Sequence, residues 1–390
     1  MDGCSVSASR PKRVVVLGST GSVGRQALDV ARTIPDRVRI VGLGTRSDVQ
    51  VLGEQVAAFA PEAVAIADPE AAKTFRVRVP YFRGELRTGE EALTWLASWP
   101  EADLVLVAVS GIAGLRPTLA AIEAGHDLAL ANKETLVAAG SLVRRAVAAR
   151  GVRLVPVDGE HSAIFQCLEG RDRGSVTRLV LTASGGPFLR RSLGSFGAVT
   201  PEEALQHPTW RMGRKITVDS ATLMNKALEV IEAHWLFDVP PDRIQVVIHP
   251  QSVVHGMVEF WDGSTFAHLS PPDMRLFIQY ALTYPDRAPV SYARMDWTVV
   301  HTLTFEPPDP RRFPCLGYAY EALARGGTAP TVLNAANEVA VERFLNREIA
   351  FSDIPRAVRT ALDLHEPVRD PSLEEILEAD RWARALVRSL

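Results

Sequence analysis

The stretch RVVVLGSTGSVG at residues 13–24 decides the fold of the N-terminal part of the chain. It opens with a continuous apolar run rich in β-branched residues, which is typical of a buried parallel strand. Gly18, Gly21 and Gly24 follow with the spacing G-x-x-G-x-x-G, and apolar residues then recur at helical intervals. Such glycines let the backbone approach a pyrophosphate, and the helix N-terminus offers free N–H groups. We therefore predict a nucleotide-binding turn, with a purely structural glycine turn as the alternative.

Strand and helix patterns alternate from this turn to residue 157. Further apolar runs predict strands at residues 38–44, 63–68, 102–110, 127–131 and 152–157, and helices are predicted at 115–124 and 135–149. Repeated β–α units indicate a parallel, doubly wound sheet. The predicted fold class is accordingly α/β, with a Rossmann-like parallel sheet in an N-terminal domain at residues 12–157.

The pattern changes after residue 157. Residues 158–284 mix strand patterns with a long helix predicted at about 219–237, which indicates an α+β domain. Six prolines at residues 285–314 favour an extended linker, and residues 315–390 predict a small helical C-terminal domain. The polar residues 1–11 are predicted to form a flexible tail.

The composition excludes several classes of function. The net charge of −3 provides no field that would attract nucleic acid or an anionic membrane. The three cysteines are scattered and fit neither a zinc site nor a disulfide framework, so a reducing cytoplasm is predicted. The N-terminus lacks the apolar segment of a secretory signal, and no run is long enough for a membrane helix.

The end of the second predicted strand bears on the choice of cofactor. An NAD-binding enzyme usually carries an acidic residue there for the ribose 2′-hydroxyl. This chain has Thr45, Arg46 and Ser47 instead, which suit a 2′-phosphate. NADPH is therefore favoured over NADH, although Asp48 follows directly and Arg46 is also compatible with an ordinary surface arginine.

Two acidic residues lie in the stretch VDGEH at residues 157–161, just after the last predicted strand. If the backbone stays extended, Asp158 and Glu160 point to the same side. Carboxylates without cysteine partners favour a hard cation such as Mg²⁺ or Mn²⁺. Taken alone, the stretch is equally compatible with a hydrated polar turn.

The predicted long helix adds a second group of polar residues. Asp219 or Ser220 is predicted near its N-cap. Asn225 and Glu229 are one turn apart on one face, and Lys226 is adjacent. A hydroxyl, an amide and an ammonium suit a phosphate, and Glu229 offers a third carboxylate to a metal. The alternative is a solvated helix face with a salt bridge.

Two further segments fit a phosphorylated substrate. Ser184 precedes two glycines at the end of a predicted strand, where the backbone can form an anion-binding nest. The segment HPTWRMG at residues 207–213 suits a mobile lid with Trp210 as its cover. The alternatives are core packing for Trp210, and for His207 a turn rather than an anion contact.

The motifs together resemble one enzyme family over nearly the whole chain, from about residue 12. In order along the chain they are GSTGSVG (18–24), ANKETLV (131–137), VDGEHSAIFQ (157–166), TASGGPF (182–188), HPTWRMGRKITVDSATLMNKALEVIEA (207–233), HPQSVVHGMVEF (249–260) and NAANEVAV (334–341). This series is similar to that of the 1-deoxy-D-xylulose 5-phosphate reductoisomerase family. The long block at 207–233 is far more specific than the glycine turn.

The resemblance implies an NADP-dependent oxidoreductase of non-mevalonate isoprenoid biosynthesis. It would isomerise and reduce 1-deoxy-D-xylulose 5-phosphate to 2-C-methyl-D-erythritol 4-phosphate with NADPH and Mn²⁺ or Mg²⁺, Co²⁺ being a further option. Members are homodimers with an NADPH-binding domain, here 12–157, a catalytic and dimerisation domain, here 158–284, and the helical C-terminal domain.

The resemblance also implies roles for individual residues. The metal ligands would be Asp158, Glu160 and Glu229, and with Lys133 these form the implied catalytic set. The implied substrate contacts are Lys133, Gly159, Glu160, Ser184, His207, Ser220, Asn225, Lys226 and Glu229. The implied NADPH contacts are Thr20, Gly21, Ser22, Val23, Arg46, Ser47, Asn132, Glu134 and Gly213.

The chain departs from the family pattern at three places. Gly159 stands where the family usually has serine, which removes one hydroxyl from the implied substrate contacts. Ala227 stands where glycine is common, and residues 46–48 read Arg-Ser-Asp where Gly-Lys-Asn or similar is frequent. An ordinary NADP-dependent dehydrogenase without a metal is one alternative, and a non-catalytic NADPH-sensing protein is another.

Overall fold

The computed structural model describes residues 10–210, 212–292, 294–299 and 302–390. Its internal contacts divide the chain into two compact units. The first unit comprises residues 10–131, 147–157 and 274–291. The second unit comprises the other described residues, which lie within 132–146, 158–273 and 292–390. Most of the tail predicted at 1–11 lies outside the described residues.

The first unit is built on a seven-stranded parallel sheet with the strand order β4-β3-β2-β1-β5-β6-β7. Its strands are β1 (Lys12–Leu17), β2 (Val38–Thr45), β3 (Ala63–Ile66), β4 (Glu85–Thr88), β5 (Leu104–Val107), β6 (Asp127–Leu130) and β7 (Leu154–Pro156). The helices that lie entirely in this unit are α1 (Ser22–Thr33), α2 (Val49–Phe59), α3 (Pro69–Arg78), α4 (Ala92–Ala97), α5 (Leu115–Glu123) and α11 (Met274–Thr283). The parallel Rossmann-like sheet predicted from the apolar runs is confirmed.

The glycine turn between β1 and α1 is shaped by close backbone approaches. Gly18 has φ +81°, and a Cβ atom there would lie 2.4 Å from the carbonyl oxygen of Ala108. A Cβ atom on Gly24 would lie 2.3 Å from the carbonyl oxygen of Gly18. Any side chain at either position would therefore collide with backbone. Gly21 precedes α1 and provides no side-chain cap, so the first N–H groups of the helix have no bond from that residue.

Two features of the first unit depart from the sequence prediction. Strand β4 was not predicted, because its residues are mostly exposed and polar and form no apolar run. Residues 274–291 group with the first unit, where α11 packs against α1 and the Nζ atom of Lys12 donates to the carbonyl of Tyr284 at 2.9 Å. The contact division thus does not coincide with the predicted boundary at 284.

The second unit contains a four-stranded mixed sheet with the order β11-β10-β8-β9. Only the β8–β9 pair is parallel. Its strands are β8 (Val176–Ala183), β9 (Ile244–Ile248), β10 (Val254–Phe260) and β11 (Thr265–Leu269). Its helices are α7 (Gly159–Leu168), α8 (Pro201–Ala204), α9 (Arg214–Ala221), α10 (Met224–Phe237), α12 (Pro314–Arg325), α13 (Ala329–Leu345), α14 (Asp353–Leu364) and α15 (Leu373–Ser389). Helix α6 (Lys133–Arg150) begins in this unit and ends in the first.

The single helix predicted at about 219–237 is wrong, since the structure has two helices there. Leu223 lies between α9 and α10 in the left-handed region, with φ +57°. The hydroxyl of Thr222 accepts the N–H of Met224 at 3.3 Å, which replaces a helical bond at the break. Asp219 and Ser220 consequently lie in the last turn of α9 and not at an N-cap.

The predicted helical C-terminal region is confirmed, and the linker at 285–314 stays a prediction. In the described part of residues 285–313 no helix or strand forms, and Glu306 makes an isolated bridge to Ile248. Helix α12 begins at Pro314, and the four helices that follow the linker share a core with the sheet of the second unit. No helix among the described residues combines the length and the apolar character that crossing a membrane requires.

Candidate functional site

Three carboxylates of the second unit converge. Asp158 immediately precedes α7, Glu160 lies in its first turn, and Glu229 lies on α10. One oxygen from each lies within 4.8 Å of the others. The convergence of Asp158 and Glu160 was predicted from an extended backbone, and that reason is wrong. The chain is already helical from Gly159, so the two side chains meet across the start of a helix.

Two buried lysines and an amide complete this carboxylate cluster. Lys133 Nζ lies 3.0 Å from Asp158 Oδ2 and 3.5 Å from Glu229 Oε1. Lys226 Nζ lies 2.6 Å from Glu160 Oε1 and also contacts Glu229 Oε2. Lys133 also donates to Asn225 Oδ1 at 2.8 Å. The structure therefore brings together six of the residues to which the resemblance assigns metal or substrate contacts.

The charges in the cluster depend on one another. Burial together with the neighbouring Glu229 raises the pKa of Glu160 to about 7. Burial would also raise the pKa of Asp158, but the Lys133 ammonium holds it well below its usual range. Burial disfavours a charged Lys133, yet Asp158 and Glu229 keep its pKa well above the ordinary value. Asp158 and Lys133 are therefore charged at neutral pH, and Glu160 is partly protonated there.

The donor set fits a hard divalent cation. Asp158, Glu160 and Glu229 supply only carboxylate oxygens, the ligands that Mg²⁺ and Mn²⁺ favour. The fit rests on the convergence of these oxygens within 4.8 Å and on the burial of Glu229, which is fully inaccessible. Lys133 and Lys226 supply two positive charges against three carboxylates, and a divalent cation would balance the remaining negative charge.

Sequence reasoning missed two residues behind the cluster. The Nδ1 atom of His161 lies 3.2 Å from Asp158 Oδ1 and 3.3 Å from Glu232 Oε2, and its Nε2 atom lies 3.0 Å from the carbonyl of Glu229. Burial opposes a charged ring, but Glu232 and Asp158 raise the pKa of His161 to about 9. The protonated ring therefore donates to the Asp158 carboxylate. The spacing of three residues between Asp158 and His161 was the available signal.

A second cluster contains the predicted anion contacts Ser184, His207 and Ser220. His207 Nε2 lies 3.0 Å from Ser184 Oγ and 3.1 Å from Ser220 Oγ. His207 Nδ1 accepts the backbone N–H groups of Thr209 and Trp210 at 3.2 and 2.9 Å. The proton of the neutral ring must therefore lie on Nε2 and point to the two hydroxyls. Burial lowers the pKa of His207 to about 4, so the ring is neutral at pH 7.

The glycines after Ser184 form the turn that was predicted there. Gly185 and Gly186 both have positive φ, at +86° and +66°. The N–H of Gly186 donates to Ser184 Oγ at 3.2 Å. A Cβ atom on Gly186 would lie 2.6 Å from the carbonyl oxygen of Ser220, so glycine is needed for the close approach of the two segments.

The segment predicted as a lid is described except for Arg211. Trp210 is half-buried, and its ring centroid lies 6.2 Å from that of His255 in an edge-to-face arrangement. Burial lowers the pKa of His255 to about 4. Trp210 thus contacts a neutral ring, and its role as a mobile cover stays a prediction.

The predicted cofactor contacts of the first unit follow β1 and β2. Thr20 Oγ1 lies 2.7 Å from Thr45 Oγ1, which ties the glycine turn to the end of β2. Arg46 and Ser47 are exposed. Asp48 caps α2 by accepting the N–H of Val51 at 3.2 Å. The acidic residue that complicated the choice of NADPH thus has a structural role as a helix cap.

The other predicted cofactor contacts belong to the second unit. Asn132 and Glu134 flank Lys133 at the start of α6, and Gly213 immediately precedes α9. Asn132 Nδ2 donates to Glu134 Oε2 at 3.0 Å, and Lys215 Nζ lies 3.2 Å from Glu134 Oε1. Lys215 was not singled out from the sequence, because a single lysine on a helix carries no motif.

Comparisons with known proteins match the chain along nearly all its length. The sequence model of 1-deoxy-D-xylulose 5-phosphate reductoisomerase matches residues 14–140. The model of that enzyme's C-terminal domain matches residues 154–237, and the DXP reductoisomerase C-terminal domain matches residues 269–386.

Full-length relatives show the same likeness. The 1-deoxy-D-xylulose 5-phosphate reductoisomerase of Pelotomaculum thermopropionicum is 55% identical over 374 residues, which covers 96% of this chain and 97% of the relative. That of Heliobacterium modesticaldum is 54% identical over 376 residues and 96% of each chain.

Solved structures of this enzyme also superpose well. The reductoisomerase from Zymomonas mobilis in complex with NADPH is 42% identical with a TM-score of 0.92, covering 97% of this chain and 99% of the other. A DOX-P reductoisomerase in complex with NADPH, fosmidomycin and magnesium is 39% identical with a TM-score of 0.92, covering 97% and 98%.

Proposed function

Because this chain belongs to the 1-deoxy-D-xylulose 5-phosphate reductoisomerase family, we propose that it converts 1-deoxy-D-xylulose 5-phosphate to 2-C-methyl-D-erythritol 4-phosphate. The reaction uses NADPH and a divalent metal and serves non-mevalonate isoprenoid biosynthesis. The observation that carries the proposal is the convergence of Asp158, Glu160 and Glu229 within 4.8 Å. An ordinary dehydrogenase needs no such cluster.

The carboxylate cluster binds the reacting end of the substrate. Asp158, Glu160 and Glu229 hold Mg²⁺ or Mn²⁺, with Co²⁺ as a further option, and the bound cation supplies Lewis-acid polarisation of the substrate carbonyl. Lys133 lies beside the cluster, 3.0 Å from Asp158, and can donate to a substrate oxygen there. Burial of these groups strengthens each electrostatic contact relative to water.

The second cluster binds the phosphate of the substrate. Ser184 and Ser220 offer hydroxyl donors, and the neutral His207 offers its Nε2–H. Asn225 and Lys226 at the start of α10 are also proposed substrate contacts, and their amide and ammonium face Glu229 and Glu160 in the carboxylate cluster. The contacts of Ser184, His207 and Ser220 to the phosphate are remote from the reacting carbons, so their binding energy can orient the substrate. Gly159 contributes a backbone N–H and no side chain.

The cofactor contacts are proposed on the two units separately. In the first unit, the start of α1 offers backbone N–H groups to a pyrophosphate, and the end of β2 offers a cation and a hydroxyl to a 2′-phosphate. These residues are Thr20, Gly21, Ser22, Val23, Arg46 and Ser47. In the second unit the proposed contacts are Asn132, Glu134 and Gly213. NADPH, when bound, supplies the hydride for the reduction.

We further propose that the protein acts as a homodimer in the cytoplasm. Strand β11 is the edge of its sheet and carries exposed residues, among them Phe266, and the exposed Trp261 lies between β10 and β11. An edge strand with exposed aromatic residues favours pairing with another chain. The thiols of Cys167 and Cys315 are free and buried, which suits a reducing compartment.

One assay tests the proposed reaction. The purified protein is mixed with 1-deoxy-D-xylulose 5-phosphate, NADPH and Mg²⁺ or Mn²⁺, and the loss of reduced nicotinamide is followed with and without a chelator. We expect oxidation of NADPH that the chelator abolishes. Activity that survives the chelator would indicate an ordinary dehydrogenase, and NADPH binding without oxidation would indicate a sensing protein.

A further inference from the structure

A buried network of side-chain hydrogen bonds and ion pairs links α13 to the start of α6 within the second unit. Asn337 Nδ2 donates to Asp219 Oδ1 at 2.8 Å. Lys215 Nζ lies 3.0 Å from Asp219 Oδ2 and 3.2 Å from Glu134 Oε1. Asn132 Nδ2 then donates to Glu134 Oε2 at 3.0 Å. Three helices and the residue before α6 are thereby joined through side chains.

All four carboxylate oxygens in this network have a donor. Asp219 accepts from Asn337 and Lys215, and Glu134 accepts from Lys215 and Asn132, so the Lys215 ammonium lies between the two carboxylates. Asp219 is 1% exposed and Asn337 is fully buried. Removal of the ammonium would leave two buried acidic groups without their shared cation, which is costly in a low-dielectric interior.

Asn132, at the α6 end of the network, fixes the backbone that carries Lys133 to the carboxylate cluster. Asn132 Oδ1 accepts the N–H of Thr135 at 3.0 Å and so caps the first turn of α6. Lys133 follows Asn132 directly, and its Nζ atom donates to Asp158 and Asn225. The position of residues 132–134 therefore depends on Lys215, although Lys215 itself is not among the proposed contacts.

We propose that Lys215 is a positioning residue, which together with Asp219 and Asn337 holds residues 132–134 in the conformation that binds NADPH. This inference rests on the proposed function, because Asn132 and Glu134 are proposed cofactor contacts. The proposal also gives a role to the NAANEVAV motif of α13, because Asn337 of this motif donates to Asp219 in the network. Burial opposes a charged Glu134, but Lys215 lowers its pKa, which agrees with a permanent ion pair.

Binding of NADPH alone, without metal or substrate, tests the proposal. In Lys215→Met we expect the dissociation constant for NADPH, measured by nicotinamide fluorescence, to rise at least about tenfold, as the loss of a charge-assisted contact predicts. Arg359→Met is the matched control. Its side chain is 28% exposed against 29% for Lys215, and it too pairs with two carboxylates in the second unit. The control should change NADPH affinity by less than about twofold.

Two further variants separate positioning from general stability. Lys215→Arg keeps the cation and its donors and should recover most of the NADPH affinity. Asn337→Leu removes only the amide donor and should weaken NADPH binding severalfold, so it replaces Lys215→Met as the test if that variant does not fold. The proposal is overturned if the folded variant binds NADPH as tightly as Arg359→Met does.

The wild-type protein separates this inference from the proposed function. If the wild type neither binds nor oxidises NADPH, the proposed function fails and the positioning role fails with it. If the wild type turns over and Lys215→Met binds NADPH normally, only the positioning role is lost.

Discussion

Asn225 donates a 2.6 Å hydrogen bond from Nδ2 to Oε1 of Glu229, one turn later on α10. The oxygen of the same amide accepts from Lys133 at 2.8 Å. The Asn225 side chain thus bridges the Lys133 ammonium and the Glu229 carboxylate, which is fully buried. The orientation of the amide is fixed by this arrangement, because only the nitrogen can donate to Glu229. Glu229 is therefore held in one place before any ligand binds.

We expect Glu229→Gln to abolish turnover and weaken metal binding at least about tenfold while leaving NADPH affinity nearly unchanged. The amide retains the size of the side chain but removes one of three negative charges that face the cation. Metal affinity is measured by calorimetry, NADPH affinity by fluorescence, and turnover by nicotinamide absorbance. Glu321→Gln on α12, which breaks an ion pair with Arg359 of α14, is the control and should stay active. Turnover at the parent rate would show that Glu229 is not a metal ligand.

The second prediction concerns the phosphate contacts. Ser220→Ala removes a hydroxyl that lies 3.1 Å from His207 Nε2. We expect the substrate to bind about tenfold more weakly, because a donor to a charged phosphate is lost, while NADPH affinity stays the same. The Michaelis constants for both ligands give the comparison.

The control for this change is Ser162→Ala. Ser162 is fully buried on α7, and its hydroxyl accepts from Gln166 at 3.2 Å. Its loss should leave the affinity for substrate intact. An equal loss of affinity for substrate and NADPH in Ser220→Ala would instead indicate that Ser220 only supports the fold of α9.

The sheet and the carboxylate cluster could be predicted because each leaves a local signal. Buried parallel strands appear as apolar runs, and the spacing of four residues between Asn225 and Glu229 places them on one helix face. The apolar runs predicted β1 and β2, and the spacing G-x-x-G-x-x-G predicted the glycine turn. Asp158 and Glu160 were paired correctly for the wrong backbone conformation, because Asp158 lies before α7 and only Glu160 is helical.

The rest of the fold and of the site depends on contacts that leave no recognisable local pattern in the sequence. The break at Leu223 has no glycine or proline to mark it, and it is stabilised by the Thr222 hydroxyl. Asn337 and Asp219 are 118 positions apart, and their contact exists only once α13 packs against α9. Strand β4 joins its sheet through backbone pairing with β3 and not through apolar side chains.

The stability of the fold should depend on pH through His207. Burial lowers its pKa in the folded protein to about 4, whereas an unfolded histidine titrates near about 6.5. Below about pH 6.5 the unfolded chain takes up a proton that the folded chain does not, so stability present above that pH is lost as pH falls toward about 4. The urea midpoint of unfolding should therefore be lower at about pH 5 than at about pH 7.

His207→Asn isolates this contribution. The side-chain oxygen of asparagine can accept the N–H groups of Thr209 and Trp210, as His207 Nδ1 does, but it does not titrate. The variant should lose less stability between the two pH values than the wild type. The same loss in both proteins would mean that His207 does not control the acid sensitivity.

The last prediction tests the residue between the two acids, Gly159. It is the first residue of α7, is buried, and has no positive φ, so a serine can adopt its backbone conformation. Gly159→Ser restores the hydroxyl that the family usually has at this position. We expect the substrate to bind about two- to tenfold more tightly, which is the net effect of one added hydrogen bond. The substrate dissociation constant is measured with metal present and without NADPH.

A tighter affinity must be distinguished from simple helix stabilisation, because serine is a better helix former than glycine. Gly317→Ser provides the comparison, since Gly317 lies within α12 and a Cβ atom there would meet open space. Both variants should gain a little stability toward thermal unfolding, and only Gly159→Ser should gain affinity for the substrate. An unchanged or weaker affinity in Gly159→Ser would mean that the hydroxyl has no substrate oxygen within reach, and that the backbone N–H of residue 159 is sufficient at this position.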